Sequence, residues 1–120
     1  NPVVKIWGTG LPKREFLFVD DMARAFVHLM DLDKTIFEKN TTPMQSHVNV
    51  GIGYDITIKE LAYTIAKVVN YQGKIEFDDF KPDGSPRKLL NSNKINSMGW
   101  SPTMELEPGL IQTYKDYIAR

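Results

Sequence analysis

Apolar and polar residues alternate in short blocks along this chain, and the blocks read as brief strands and amphipathic helices separated by turn-forming clusters. Val3 to Trp7 is apolar and partly β-branched and runs into Gly8-Thr9-Gly10-Leu11-Pro12, which predicts a strand ending in a tight loop. Phe16-Leu17-Phe18-Val19 resumes the extended pattern. Asp20-Asp21 then supplies the carboxylate oxygens and negative charge that a helix start favours. Met22, Ala25, Phe26, Leu29 and Met30 recur at offsets of three and four, so the helix is expected to pack this stripe on a core. The face carrying Asp21, Arg24 and His28 is expected to be exposed.

From Asp31 to His47 the pattern turns mixed and polar, a surface connection with at most one helical turn around Ile36-Phe37. Val48-Asn49-Val50 predicts a short strand closed by Gly51-Ile52-Gly53. Thr57-Ile58-Lys59-Glu60 is a capping box, with Ile56 and Leu61 set as a hydrophobic staple, and its apolar stripe predicts a helix from Ile58 to Val69 that stops near Asn70. Lys74 to Phe77 alternates as an edge-like strand, and the prolines in Lys81-Pro82-Asp83-Gly84-Ser85-Pro86-Arg87-Lys88 predict an irregular loop. Ser92 is placed to cap a short helix ended by Gly99, and a last helix begins between Glu105 and Pro108.

At 120 residues, 42% hydrophobic and 25% charged, the chain is one domain or less, with the composition of a globular protein and no apolar run long enough to span a bilayer. Fifteen basic and 15 acidic residues cancel, which argues against a nucleic-acid footprint. The absence of cysteine excludes disulfides, thiolate metal ligands and cysteine nucleophiles. A start at Asn1-Pro2 with no initiator Met reads as a cut rather than a beginning.

Several residue groups carry candidate chemistry. Gly51-Ile52-Gly53 lacks a third glycine and opens no helix, so turn geometry explains it better than phosphate binding. His28 and His47 complete no ligand set, and no metal site is expected. Asp20-Asp21 and Asp78-Asp79 read as a helix start and a loop rather than as acid-base pairs. Arg14 lies between a glycine-rich turn and an apolar strand, near Trp7; its guanidinium offers a fork to phosphate and the indole a stacking face, while a purely structural role explains both as well. Lys81 to Lys88 suits diphosphate and hydroxyl recognition, and equally a solvated charged loop.

Taken in order, Trp7-Gly8-Thr9-Gly10, Arg14-Glu15-Phe16-Leu17 with Val19-Asp20-Asp21-Met22-Ala23, Asn49-Val50-Gly51-Ile52-Gly53, Thr57 to Ala62, and Lys81 to Leu90 resemble the C-terminal part of the GDP-L-fucose synthase family. These are extended short-chain dehydrogenases/reductases. The resemblance spans essentially the whole chain, and the Lys-Pro-Asp-Gly-Ser-Pro-Arg-Lys loop narrows it to this branch among nucleotide-sugar enzymes.

The resemblance implies an α/β fold: residues 1–120 as the C-terminal substrate-binding portion of a Rossmann-type enzyme, with the Val48 to Val50 strand and the helix before it joining the sheet of an absent N-terminal cofactor lobe. It implies an NADP-dependent enzyme that epimerises GDP-4-keto-6-deoxy-D-mannose at C3 and C5 and reduces C4. Such enzymes are typically homodimeric and cytoplasmic, with no nucleic-acid or membrane partner. The catalytic residues of that chemistry belong to the absent lobe, so this chain carries none and is expected to be inactive alone. By the same resemblance Arg14 is expected at the GDP diphosphate with Trp7 nearby, Lys74 by the nucleotide, and Asp83, Arg87 and Lys88 in a loop closing over its nucleotide end. Departures from the family pattern fall at Phe18, Asn70 (often Gly), Asn91 (often Asp) and Glu105. Another nucleotide-sugar epimerase or dehydratase, or a non-catalytic binding module, is the alternative.

Overall fold

A computed structural model describes residues 2–120. Two small sheets and five helices form, in the order β1 (Val3–Trp7), β2 (Lys13–Arg14), α1 (Val19–Asp31), α2 (Lys34–Asn40), β3 (Ile56–Thr57), α3 (Ile58–Val68), β4 (Lys74–Asp78), β5 (Arg87–Lys88), α4 (Asn93–Ser97) and α5 (Leu106–Ile118). β1 and β4 pair in parallel from Val3↔Lys74 to Trp7↔Asp78. β2 is the middle strand of the second sheet, antiparallel to β3 and parallel to β5.

Locally coded helix boundaries form close to where they are expected, although Ser92 heads α4 without a side-chain capping bond and its hydroxyl is buried without a partner among the described residues. The Thr57 hydroxyl accepts the Glu60 N–H at 3.0 Å, an N-cap that contributes about 1 kcal/mol to α3. Past the end of α3, Asn70 adopts φ 56°, a left-handed turn position that asparagine tolerates in place of glycine. Gly99 closes α4 with φ 98°. The apolar side of α3 lies over Val4, Ile6 and Ile75 of the β1–β4 sheet, leaving an open apolar cleft of about 320 Å³ because two strands are too narrow to cover the helix.

Four expectations are corrected. The connection after Asp31 holds a seven-residue helix, α2, capped by the Asp33 carboxylate on the Thr35 N–H at 2.9 Å. The proline-bounded loop contributes a two-residue strand, β5, because Lys13 N–H bonds the Pro86 carbonyl and starts a ladder. Val48 to Val50 forms no strand within the described residues, since no other segment there offers it a ladder. It packs instead against a core of Ala25, Ile95 and Trp100, the indole only 1% exposed.

The fourth correction concerns α1, whose expected stripe is split: Ala25 and Leu29 pack on the core as expected, but the rest of the stripe does not, and Asp21, expected to be exposed, is buried beside them. Asp21 and Ala25 are buried, whereas Met22, Phe26 (58% exposed) and Met30 face outward. Asp21 does not cap the helix; its carboxylate accepts the Thr103 and Met104 N–H groups at 3.1 and 2.9 Å, the Thr103 hydroxyl at 2.8 Å and Arg24 at 2.9 Å. His28 reaches the Met98 carbonyl at 2.8 Å from the same face. Asp21 and His28 thus tie one side of α1 to the rest of the chain.

Burial pushes the Asp21 carboxyl up, but the bonds from Arg24, Thr103 and Met104 outweigh it and hold the pKa at about 2. The folded pKa lies below the unfolded one, so this stability is present above the unfolded value and is lost as pH falls through the folded one. Denaturant unfolding at a series of pH values is expected to lose about 2 kcal/mol between about pH 4 and pH 2 from this group. Asp21→Asn is expected to lower stability at neutral pH by about 3 kcal/mol and to remove that acid limb. An acid limb unchanged in the variant would refute the assignment.

Candidate functional site

The site grows from the turn between β1 and β2. Gly8 takes φ 91° and Gly10 φ 78°, and a side chain on Gly8 would collide with the Asp83 carboxylate. That close approach lets Asp83 clasp the turn: Oδ1 accepts the Thr9 N–H at 2.8 Å and Oδ2 the Thr9 hydroxyl at 2.7 Å. Hydrogen bonds from the Thr9 hydroxyl and then its N–H hold the Asp83 carboxyl below the usual carboxylate range. The loop after β4 is therefore folded back onto the β1–β2 turn.

Arg14 lies one step further along. Its Nη1 donates to the Lys13 and Ser85 carbonyls, each at 2.7 Å, and Nη2 borders Gly84. Among the described residues no carboxylate pairs with it. Ladder partners project to one face of a sheet, so Arg14, Ile56 and Lys88 share a face, and Phe16 and Tyr54 line the same corner. This is an anchored guanidinium, a second cation and an aromatic wall. A guanidinium fork matches the geometry of a phosphate or carboxylate.

Trp7 closes β1 with its ring 71% exposed and the Lys81 ammonium 5.2 Å from the ring centroid. The loop that carries Asp83 and Ser85 thus also carries Lys81 back to β1. Asp83 and Lys88 lie on this loop, which meets Trp7 through Lys81 and Arg14 through Ser85 and the Arg14↔Lys88 pairing.

Arg87 and Lys74 are placed apart from the Arg14 corner. Arg87 is committed to Asp55, with Nε to Oδ2 at 2.6 Å and Nη2 to Oδ1 at 3.4 Å, on a carboxylate only 7% exposed. Its charge anchors β5 rather than standing free for a phosphate. Lys74 opens β4 opposite Val3, whereas the site is at the Trp7↔Asp78 end of that ladder, about 13 Å of strand rise away. The structure does not bring Lys74 to the group.

Sequence reading assigned no contact role to Thr9, Asp55 or Glu15, and placed Lys81 only as part of the charged loop. The Glu15 carboxylate accepts the Ile52 N–H at 2.9 Å and the Leu90 N–H at 2.6 Å, tying the residue beside Arg14 to the paired-glycine loop and to the chain after β5. These partners lie 37 and 75 residues away, and no local pattern encodes them.

The paired glycines do not form a dinucleotide cradle. The Ile52 N–H is spent on Glu15, and a side chain on Gly51 would strike that same carboxylate, a group that repels a pyrophosphate. Residues 51–53 therefore do not fit an NADP pyrophosphate. No cluster of three or more potential metal ligands and no helix long and apolar enough to cross a membrane occurs among the described residues.

Comparison with known proteins places these features in a family. The NAD dependent epimerase/dehydratase family matches residues 1–51. A GDP-L-fucose synthase from Escherichia coli K12 is 53% identical over 98% of this chain, and a probable GDP-L-fucose synthase from Oryza sativa is 50% identical over 96% of it. The chain spans 36% and 32% of those two relatives, about a third of their length. A GDP-D-glycero-L-gluco-heptose synthase from Campylobacter jejuni, crystallised in the presence of NADPH, superposes with a TM-score of 0.85 at 33% identity, over 97% of this chain and 33% of that one. A GDP-L-fucose synthetase from Naegleria fowleri shares the fold, with a TM-score of 0.80 at 21% identity over 98% of this chain and 35% of its own. With near-complete coverage of this chain at half identity, the chain is similar to the C-terminal third of GDP-L-fucose synthases, its first 51 residues match the NAD dependent epimerase/dehydratase family, and its fold is that of the matching third of Rossmann-type extended short-chain dehydrogenases/reductases.

Proposed function

We propose that this chain is the GDP-sugar-binding part of an enzyme that converts GDP-4-keto-6-deoxy-D-mannose to GDP-L-fucose. Arg14 carries the reading: one guanidinium nitrogen is fixed by two carbonyls, no carboxylate neutralises the group among the described residues, and Lys88 lies beside it in register. A cation held this way has little side-chain freedom left to lose and is ready for a diphosphate. The relatives' names favour GDP as the nucleotide.

Epimerisation beside the ketone requires proton transfers at carbons whose acidity comes from the neighbouring carbonyl, and reduction requires a hydride. NADPH, when bound, supplies that hydride. The part of this chain is to hold the diphosphate at Arg14 and Lys88 and the nucleotide end near Trp7, fixing where the sugar is presented to groups on the cofactor lobe. That lobe is the macromolecular partner in this reading, and the whole enzyme is a cytoplasmic homodimer. Two surfaces support a missing lobe. Met22, Phe26 and Met30 on α1 form an apolar face left partly open beside Phe37 of α2, and Val48 to Val50 is a β-branched segment with no ladder among the described residues.

Titration of GDP into the chain, followed by amide NMR, is expected to shift Tyr54, Ser85 and Lys88 resonances. Arg14→Ala is expected to weaken binding by on the order of tenfold. UDP and dTDP are expected to compete poorly, and tighter binding of either would move the reading to another nucleotide-sugar enzyme. Asp83→Ala is expected to accelerate hydrogen exchange at the Thr9 amide, with a smaller loss of affinity than Arg14→Ala. The chain alone, given the 4-keto sugar and NADPH, is expected to show no turnover; measurable turnover would overturn the division between the two lobes.

A further inference from the structure

The exposure of Trp7, at the end of β1, calls for an explanation beyond packing. An indole 71% exposed at a strand end has little to hold its rotamer, and a loose ring is a poor recognition surface because ordering it opposes binding. The structure supplies the missing restraint from the loop after β4. The Lys81 N–H bonds the Asp78 carbonyl at 3.1 Å, Asp83 clasps Thr9, and the Ser85 carbonyl takes Arg14, so the backbone on both sides of Lys81 is fixed. From that position its ammonium sits 5.2 Å from the Trp7 centroid, a cation–π contact, and no carboxylate pairs with it among the described residues.

We infer that Lys81 is a positioning residue: its ammonium pins one face of the Trp7 ring so that the opposite face is presented, already oriented, to the planar base of a nucleoside diphosphate. The inference rests on the nucleotide-binding reading of the Arg14 corner and adds to it a residue and a ligand group. A cation on one face of an indole leaves the other free to stack, and stacking on an aromatic face is how proteins hold bases with little dependence on their hydrogen-bond pattern. Lys81 acts through Trp7, not on the phosphates.

The test uses the 120-residue chain labelled with 5-fluorotryptophan, whose fluorine signals separate exposed Trp7 from buried Trp100. Lys81→Met keeps the apolar stem and removes the charge, and Lys81→Arg keeps a cation. GDP and inorganic pyrophosphate, which has no base, are the two probes. Expected are a Trp7 signal that moves in Lys81→Met while Trp100 stays fixed, a roughly threefold weaker GDP affinity, unchanged pyrophosphate affinity, and recovery of both GDP affinity and the Trp7 signal in Lys81→Arg. Equal loss for GDP and pyrophosphate would make Lys81 a phosphate contact and overturn the inference. So would a GDP affinity unaffected by Lys81→Met, and in both cases the Arg14 site would stand. Wild-type chain indifferent to GDP and pyrophosphate would remove the site itself, and the inference with it.

Discussion

Carboxylates bonded to distant backbone N–H groups hold this chain together. Its fully buried core is small, centred on Trp100, Ile95 and Ala25, and it has a radius of gyration of 17.8 Å against about 14 Å for a compact domain of its length. With so little apolar burial, segments remote in sequence need another means of registration. Asp21 fixes residues 103 and 104 to α1, Glu15 fixes 52 and 90 to the end of β2, and Asp83 fixes Thr9 to the loop after β4. Each works because an ionised carboxylate accepting backbone N–H bonds is among the stronger polar contacts, and leaving those donors unmet within a partly buried setting is costly.

The candidate site inherits its geometry from these ties. Arg14 and Glu15 are adjacent, so they project to opposite sides of the extended chain. Glu15 turns toward the paired-glycine loop and Leu90, while Arg14 faces the corner lined by Phe16, Tyr54 and Ile56. Asp55 adds a second restraint by holding Arg87, and with it β5, in register beside β2. The consequence is a division among cations that sequence composition cannot make: Arg87 spends its charge on the fold, and Arg14 and Lys88 keep theirs.

That division marks how far the sequence was legible. Features whose cause lies within a turn of helix were readable, among them the Thr57 cap, the left-handed Asn70 and the Gly99 stop. The expected grouping of Trp7, Arg14, Asp83 and Lys88 came instead from motifs shared with a family. Which part of the α1 stripe meets the core was not readable, because periodicity reports that a helix has an apolar face and not which element meets it. Asp21 binds groups 82 and 83 residues away, and that contact sets the helix against the core. Val48 to Val50 has strand character but needs a neighbour to become a strand, and nothing in the local pattern announces the parallel register Val3↔Lys74 that sets Lys74 at the far end of β4 from Trp7.

These outcomes point to one physical arrangement. Asp21 and His28 of α1 are bonded inside the chain while Met22, Phe26 and Met30 are left outward, and the glycine loop that follows Val50 is closed by Glu15 rather than open to a phosphate. Both facts separate the anion site proposed around Arg14 from the apolar surfaces proposed to be covered by a second lobe. A binding corner built on carbonyl-anchored Arg14 and a clasped loop is already organised without that partner. An apolar helix face and an unpaired extended segment are not; their burial is what docking onto a second lobe would gain. Binding and docking are thereby assigned to different residues, which is the condition for perturbing one without the other.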